Sequence, residues 1–168
     1  MRRSRDGVDA EFAAFVAAQW PPLVRLAATV TGSREAGEDA AQAALAAMWV
    51  RWSSIGLEAR AAYARRCAVN AALAARRKAS SAEVPLAELP EFPGKDPTGP
   101  LADSDLVARA LQDLPPRARA VVVLRHLEDL STVEVAATLG ISTGAVKSLN
   151  TRGLERLRLA LRPEVGQP

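Results

Sequence analysis

The chain has 168 residues, 49% of them apolar and 24% charged, with a formal net charge of +3; that is enough apolar residue for a buried core, and it excludes global disorder. One cysteine, Cys67, and one histidine, His126, exclude an internal disulfide framework and any His/Cys metal spacing, and they leave a reducing cytosol as the default compartment. No apolar run reaches the ~20 residues of a membrane span and MRRSRDG has no apolar stretch behind it, so the expectation is a cytoplasmic protein without membrane insertion, and without a metal or cofactor.

Alanine, leucine, arginine and glutamate dominate, while strand-favouring residues are scarce, which predicts an all-α protein. Residues 1–7, with three arginines, are expected to be disordered. Residues 8–80 read as a first helical module. Phe12 with Phe15 or Val16, then Leu23, Leu26 and Val30, form two short apolar stripes expected to break at Pro21–Pro22. Thr31-Gly32-Ser33 is a stop followed by an N-cap, with Glu35 in the next first turn. The helix that follows should run to about Trp52 and bury Ala41, Leu45, Met48 and Trp52, with Asp39 and Gln42 together on another face. After a loop at 53–56, a helix from about Glu58 to Lys78 carries Tyr63, Val69 and Leu73 as core candidates.

That third helix is the most basic stretch, with Arg60, Arg65, Arg66, Arg76, Arg77 and Lys78 unbalanced after Glu58. Arg66, Asn70, Leu73 and Arg77 line one side of it. An amide in an Ala/Val/Leu run needs a partner if buried. Two readings stand: a solvated face with a structural amide, or a basic rail for a phosphate backbone with Asn70 near bases.

Residues 81–103 hold one Lys/Arg against five Asp/Glu and five of the eleven prolines. Acidic and aperiodic, the stretch reads as an extended linker reaching at most about 75–80 Å. Residues 1–80 carry 12 Lys/Arg against 7 Asp/Glu, and residues 104–168 carry 9 against 7, so two basic modules flank an acidic tether.

The second module, 104–162, should open with a helix capped by Ser104 or Asp105 and burying Leu106, Val107, Ala110, Leu111 and Leu114. Pro115–Pro116 ends it, and a helix from Arg117 to Leu127 follows, with Val121, Val122, Leu124 and Leu127 facing the core. Ser131 and Glu134 form a capping box, Val133, Ala136 and Leu139 recur at helical spacing, and Gly140 supplies the left-handed stop. Ser142 caps a longer helix on which Val146, Gly153 and Leu157 face inward. Gly144, Lys147, Ser148 and Thr151 share the other side, with Arg152 at its edge. So short a connection makes a helix-turn-helix, and small polar groups with one cation at the exposed helix start suit a major groove. The alternative is an ordinary helical hairpin. Residues 163–168 form a short tail.

The segments TGSREAGEDAAQAALAAMWVRW (31–52), AYARRCAVNAALAARRK (62–78), LPPRARAVVVLRHLEDLSTVEVAATLGISTGAVKS (114–148) and TRGLERLR (151–158) resemble the extracytoplasmic-function (ECF) sigma factors of the sigma-70 family, and among them the SigE-type subset. The resemblance covers roughly residues 8–80 and 104–162. It implies two small helical domains, sigma region 2 and sigma region 4, and a factor that directs promoter-specific transcription initiation. The implied partners are core RNA polymerase, through the β′ clamp helices and β flap, and promoter DNA, with an anti-sigma factor as a further partner. By resemblance Asp39 and Gln42 meet polymerase. Trp52, Tyr63, Arg65, Arg66, Asn70, Arg76 and Arg77 serve the −10 element. Arg117, Arg119, Ser142, Thr143, Gly144, Lys147, Ser148, Thr151 and Arg152 serve the −35 element. Leu149 and Asn150 depart from the arginine and apolar residue common in the family, which leaves open what touches bases there.

No acid–base pair or glycine-rich phosphate loop is in view, so an enzyme is not expected. Two rivals remain: a stand-alone helix-turn-helix regulator, which gives Asp39 and Gln42 no role, and a protein-binding adaptor that never touches DNA.

Overall fold

The computed structural model describes residues 5–81 and 101–162, which fall into two compact units. Helices α1 (Arg5–Thr31), α2 (Arg34–Arg51) and α3 (Arg60–Ser81) build the first; α4 (Leu101–Gln112), α5 (Pro116–His126), α6 (Thr132–Leu139) and α7 (Thr143–Ala160) build the second. Two short 3₁₀ turns, Trp52–Ser54 and Leu57–Ala59, join α2 to α3, and no strand occurs among the described residues. The expected linker is trimmed at both ends, because Ser81 closes α3 and Leu101–Asp103 already belong to α4. That earlier start also displaces the cap expected at Ser104 or Asp105. The remainder of the linker, the first four residues and the tail from 163 lie outside the described residues. Arg5–Gly7, expected to be disordered, form the first turn of α1, where Asp6 complements the helix dipole.

The expected break at Pro21–Pro22 does not occur, and α1 runs through both prolines. The two missing N–H groups would have served the carbonyls of Ala17 and Ala18, residues on the exposed side, where water can replace them. The helix beyond is held by packing, since Leu23, Leu26, Ala27 and Val30 are all buried. Thr31 and Ser33 close α1 and open α2 as expected: Gly32 adopts φ 80°, and Ser33 Oγ accepts from Ala36 N at 3.3 Å.

The first unit packs on small side chains. Ala40, Ala41 and Ala44 of α2 and Ala64, Ala68 and Ala72 of α3 are buried around Leu45, Met48, Val69 and Leu73. α1 and α2 approach closely at Gly37, where a Cβ would stand 2.5 Å from Ala28 N and 2.7 Å from Ala28 Cα. Trp52, 2% exposed, fills the end of this core. Its ring packs 4.9 Å from Phe12 and 5.1 Å from Phe15, and the Arg60 guanidinium lies 3.6 Å from its centroid. Arg60 is itself buried and donates from Nη1 to Glu11 Oε1 at 2.9 Å. Two expectations are corrected here. Trp52 is a core residue rather than a DNA contact, and Arg60 leaves the basic rail because a cation–π and ion-pair stack draws it inward.

The second unit turns on a problem set by Pro115 and Pro116. In a continuing helix their N–H groups would bond the carbonyls of Leu111 and Gln112, but prolines have none. Arg119 supplies the donors instead: Nε to Leu111 O at 2.8 Å, and Nη2 to Gln112 O at 2.7 Å and Leu114 O at 3.1 Å. Arg119 is 1% exposed, so its expected role as a phosphate contact is withdrawn. Pro116 opens α5 at a position that tolerates a missing donor.

Every residue of α5 from Ala118 to Leu124 is buried. Leu127, expected in the core, is 61% exposed because it caps the helix; the chain then turns through Asp129 at φ 51°, and Leu130 takes the inner place. Leu130 N donates to Leu124 O at 3.0 Å, and Arg125 Nη1 donates to Leu130 O. Leu106 and Val107 are likewise 47% and 40% exposed, while Ala110 and Leu111 of α4 and Leu114 just beyond it are buried.

The capping box forms as expected, with Ser131 N donating to Glu134 Oε2 at 2.7 Å and Glu134 N to Ser131 Oγ at 3.2 Å. The inward phase of α6 differs: Val135 is fully buried while Val133 is 68% exposed. Gly140 adopts φ 63°, and Ser142 Oγ accepts from Ala145 N at 3.1 Å to start α7. Val146, Gly153 and Leu157 are the buried residues of α7, and a Cβ at Gly153 would sit 2.7 Å from Val122 Cγ2 of α5.

Two stability predictions follow from these contacts. All three tryptophans, Trp20, Trp49 and Trp52, lie in the first unit, so their fluorescence reports its unfolding alone. Gly37→Ala must push backbone from backbone and should destabilise that unit by about 3 kcal/mol; an unshifted fluorescence midpoint would refute the contact. Arg119→Ala removes three hydrogen bonds of a buried side chain, with Leu111 O keeping only the 3.2 Å bond from Leu114 N, and should cost roughly 3 kcal/mol. Amide exchange should then accelerate in α4 and α5 while the tryptophan transition stays put.

Candidate nucleic-acid interface

The exposed side of α7 is built by its cap and by what its other side must bury. Val146, Gly153 and Leu157 fix its rotation against the unit, and Gly144, Lys147, Ser148, Thr151 and Arg152 are then exposed. Ser142 and Thr143 stand at the helix start, the former engaged as N-cap. Arg152 folds back along the helix, donating from Nε to Ser148 O at 3.3 Å and from Nη2 to Ser148 Oγ at 2.8 Å. The result is a polar ridge with cations at Lys147 and Arg152 and no bulky residue before them.

Arg117 is exposed in the first turn of α5, where a cation is disfavoured by the helix dipole. The same dipole attracts an anion. On the flank of α7, Asn150 is half-buried, and its Oδ1 lies 2.9 Å from His126 Nε2 of α5.

In the first unit, Arg66, Asn70 and Arg77 are exposed along α3, whereas Leu73 between them is buried. The four residues are not one uniform face. Arg65, Arg76 and Tyr63 are half-buried. A hollow of about 460 Å³ opens between α2 and α3, lined by Arg51, Tyr63, Arg66, Cys67 and Asn70 over a floor of alanines. Burial pushes the Cys67 thiol above its usual range, against the opposing pull of a Tyr63 hydrogen bond and the Arg66 and Arg51 charges. Tyr63, Arg66 and Asn70 were expected to lie together, and Arg51, at the end of α2 beside Trp52, joins them in lining this hollow without having been expected there.

Ser53 and Ile55, in the loop between α2 and α3, line a different hollow of about 480 Å³ together with Val8, Glu11, Trp52 and Arg60. Asp39 and Gln42 are exposed on α2, and the same helix continues into Trp49 and Val50, 44% and 84% exposed. That apolar extension was not foreseen. Among the described residues no group of three or more His, Cys, Asp or Glu could hold a metal, and no helix is long and apolar enough to cross a membrane.

The two units each match a family model. Sigma-70 region 2 matches residues 15–82, and Sigma-70 region 4 matches residues 110–159. The RNA polymerase sigma-E factor of Streptomyces coelicolor is 41% identical over 149 residues, which cover 88% of this chain and 84% of that protein. The ECF RNA polymerase sigma factor SigL of Mycobacterium tuberculosis is 31% identical over 145 residues, covering 83% and 82%. Among solved structures, the sigma factor RpoE in complex with the anti-sigma factor NepR from Bartonella quintana has the same fold, with a TM-score of 0.74 at 22% identity over 92% of this chain and 98% of that one. CnrH in complex with the cytosolic domain of CnrY gives a TM-score of 0.64 at 22% identity, covering 91% and 88%. With both region models matched and relatives up to 41% identical along most of their length, the chain belongs to the sigma-70 family of RNA polymerase sigma factors, within its extracytoplasmic-function, sigma-E-type group.

Proposed function

We propose that this sigma factor joins core RNA polymerase in the cytoplasm and aims it at promoters through two chemically distinct DNA surfaces, without catalysing a reaction itself. The observation that carries the assignment is the α7 ridge: an unobstructed polar helix start, held by a buried opposite side, with Lys147 projecting from it. The −35 duplex is met there by Ser142, Thr143, Gly144, Lys147, Ser148, Thr151 and Arg152, with Arg117 holding a flanking phosphate. A stand-alone regulator has no use for the α2 surface, so it is the weaker reading.

The −10 element is met by α3. Arg66 and Arg77, with Arg65 and Arg76 beside them, follow the strand backbone, while the hollow at Tyr63, Arg66 and Asn70 accepts an unstacked base. Polymerase docks on α2, where Asp39 and Gln42 offer an acid and an amide to a basic clamp helix and Trp49 and Val50 add apolar area. The β flap contacts region 4. The acidic stretch within 81–103, repelled by DNA, suits a basic channel of the enzyme. An anti-sigma factor that covers these surfaces would hold the protein inactive; RpoE and CnrH, which share its fold, were solved with such partners or with a partner's cytosolic domain.

Two measurements test this. Promoter binding by the reconstituted holoenzyme should weaken in Lys147→Ala and in Arg117→Ala, each with the salt slope reduced by about one; unchanged binding and slope in both would remove the groove assignment. Asp39→Ala should lower polymerase association and specific transcript starts together while the tryptophan unfolding transition is unaltered, and normal co-purification of that variant would remove the α2 surface.

A further inference from the structure

Two arginines from different helices line the hollow between α2 and α3, and only Arg66 has a role so far. Arg51 stands in the last turn of α2, and Arg66 stands on α3. Both are exposed, and both line the hollow of about 460 Å³ together with Tyr63, Cys67 and Asn70. The Cys67 thiol feels both positive charges, so the two guanidiniums act on one space from opposite walls. None of the residues lining that space is a carboxylate. The backbone behind Arg51 is pinned, because its carbonyl accepts from Ser54 Oγ at 2.8 Å and from Ile55 N at 3.2 Å. The side chain therefore reaches the hollow from a fixed origin.

We infer that Arg51 is a second phosphate clamp of the −10 surface, holding the opened strand across the hollow from Arg66. This rests on the reading of α3 as the −10 surface and deepens it. Two guanidiniums around one hollow without a carboxylate repel each other, and an anion near both offsets that repulsion. The alanine floor and Tyr63 take the apolar part of an unstacked nucleotide, its base. A nucleotide entering base-first leaves the phosphates on its two sides at the rim, where both exposed arginines stand. A guanidinium matches phosphate oxygens two at a time. Arg66 holds the phosphate on the α3 side and Arg51 the one on the α2 side, so the strand is tied on both sides of the withdrawn base. Such a contact adds grip without reading sequence.

The test uses preassembled holoenzyme carrying the full-length chain. Its DNA is a promoter selected by the wild-type holoenzyme from a genomic library, with the −10 segment left unpaired, and binding is measured over a range of salt. Arg51→Ala should weaken binding about three- to tenfold, equally for every base placed in the −10 segment, with a salt slope smaller by about 0.7, the share of one single-strand phosphate. Arg51→Lys keeps the charge and should recover the slope, while Arg51→Gln should behave as the alanine variant. That contrast decides the matter even where the alanine variant shifts the tryptophan unfolding transition. Wild-type affinity and slope in Arg51→Ala and Arg51→Gln overturn the inference. So does a loss confined to one base with an unaltered slope, the mark of a base contact. Arg66→Ala, run in parallel, separates the two levels. If it loses affinity and slope while the Arg51 variants do not, only Arg51 falls; if it too binds normally, the reading of α3 falls first.

Discussion

Two consecutive prolines between α4 and α5 leave two helix-end carbonyls without their natural donors, and one guanidinium makes good the loss. The rest of the second unit depends on that substitution. Arg119 fixes where α4 stops relative to α5, α5 is buried along nearly its whole length, and α7 packs across α5 where Gly153 lets the Val122 methyl in. The direction in which α7 shows its polar ridge is thus inherited from a hydrogen-bonding problem solved one and two helices earlier. A planar fork suits the task better than an ammonium, because two of the three carbonyls share one nitrogen and the third takes another.

The arginines of this protein divide by what they bond, and net charge does not reveal the division. Arg60, Arg119 and Arg125 are turned inward, toward a carboxylate and an indole face, three carbonyls, and a single carbonyl. Arg66, Arg77, Arg117 and Lys147 are exposed. A formal charge of +3 is therefore a poor guide to the field a polyanion meets, which depends on the outward set and its spacing along α3, α5 and α7.

The local chemistry was legible in the sequence. Ser33, Ser131 with Glu134, Gly140 and Ser142 do as caps what their side chains allow over three or four residues, and the helix-turn-helix follows from them. So did the exposure of Lys147 and of Asp39 with Gln42, since periodicity alone sorts those faces. What the sequence hid was tertiary. The buried side of α1 outweighs two prolines, Leu130 rather than Leu127 fills the core because Asp129 adopts a left-handed turn, and Trp52 and Arg60 find each other across a loop. Gly37 gave no signal, because a glycine within an alanine-rich helix looks like a weak former until its neighbour's backbone is seen at 2.5 Å from the missing Cβ.

The first unit is closed largely by alanine, a side chain with no rotamers to lose or rearrange. Such an interior has few alternative packings, so the spacing of its helices is insensitive to what decorates them outside.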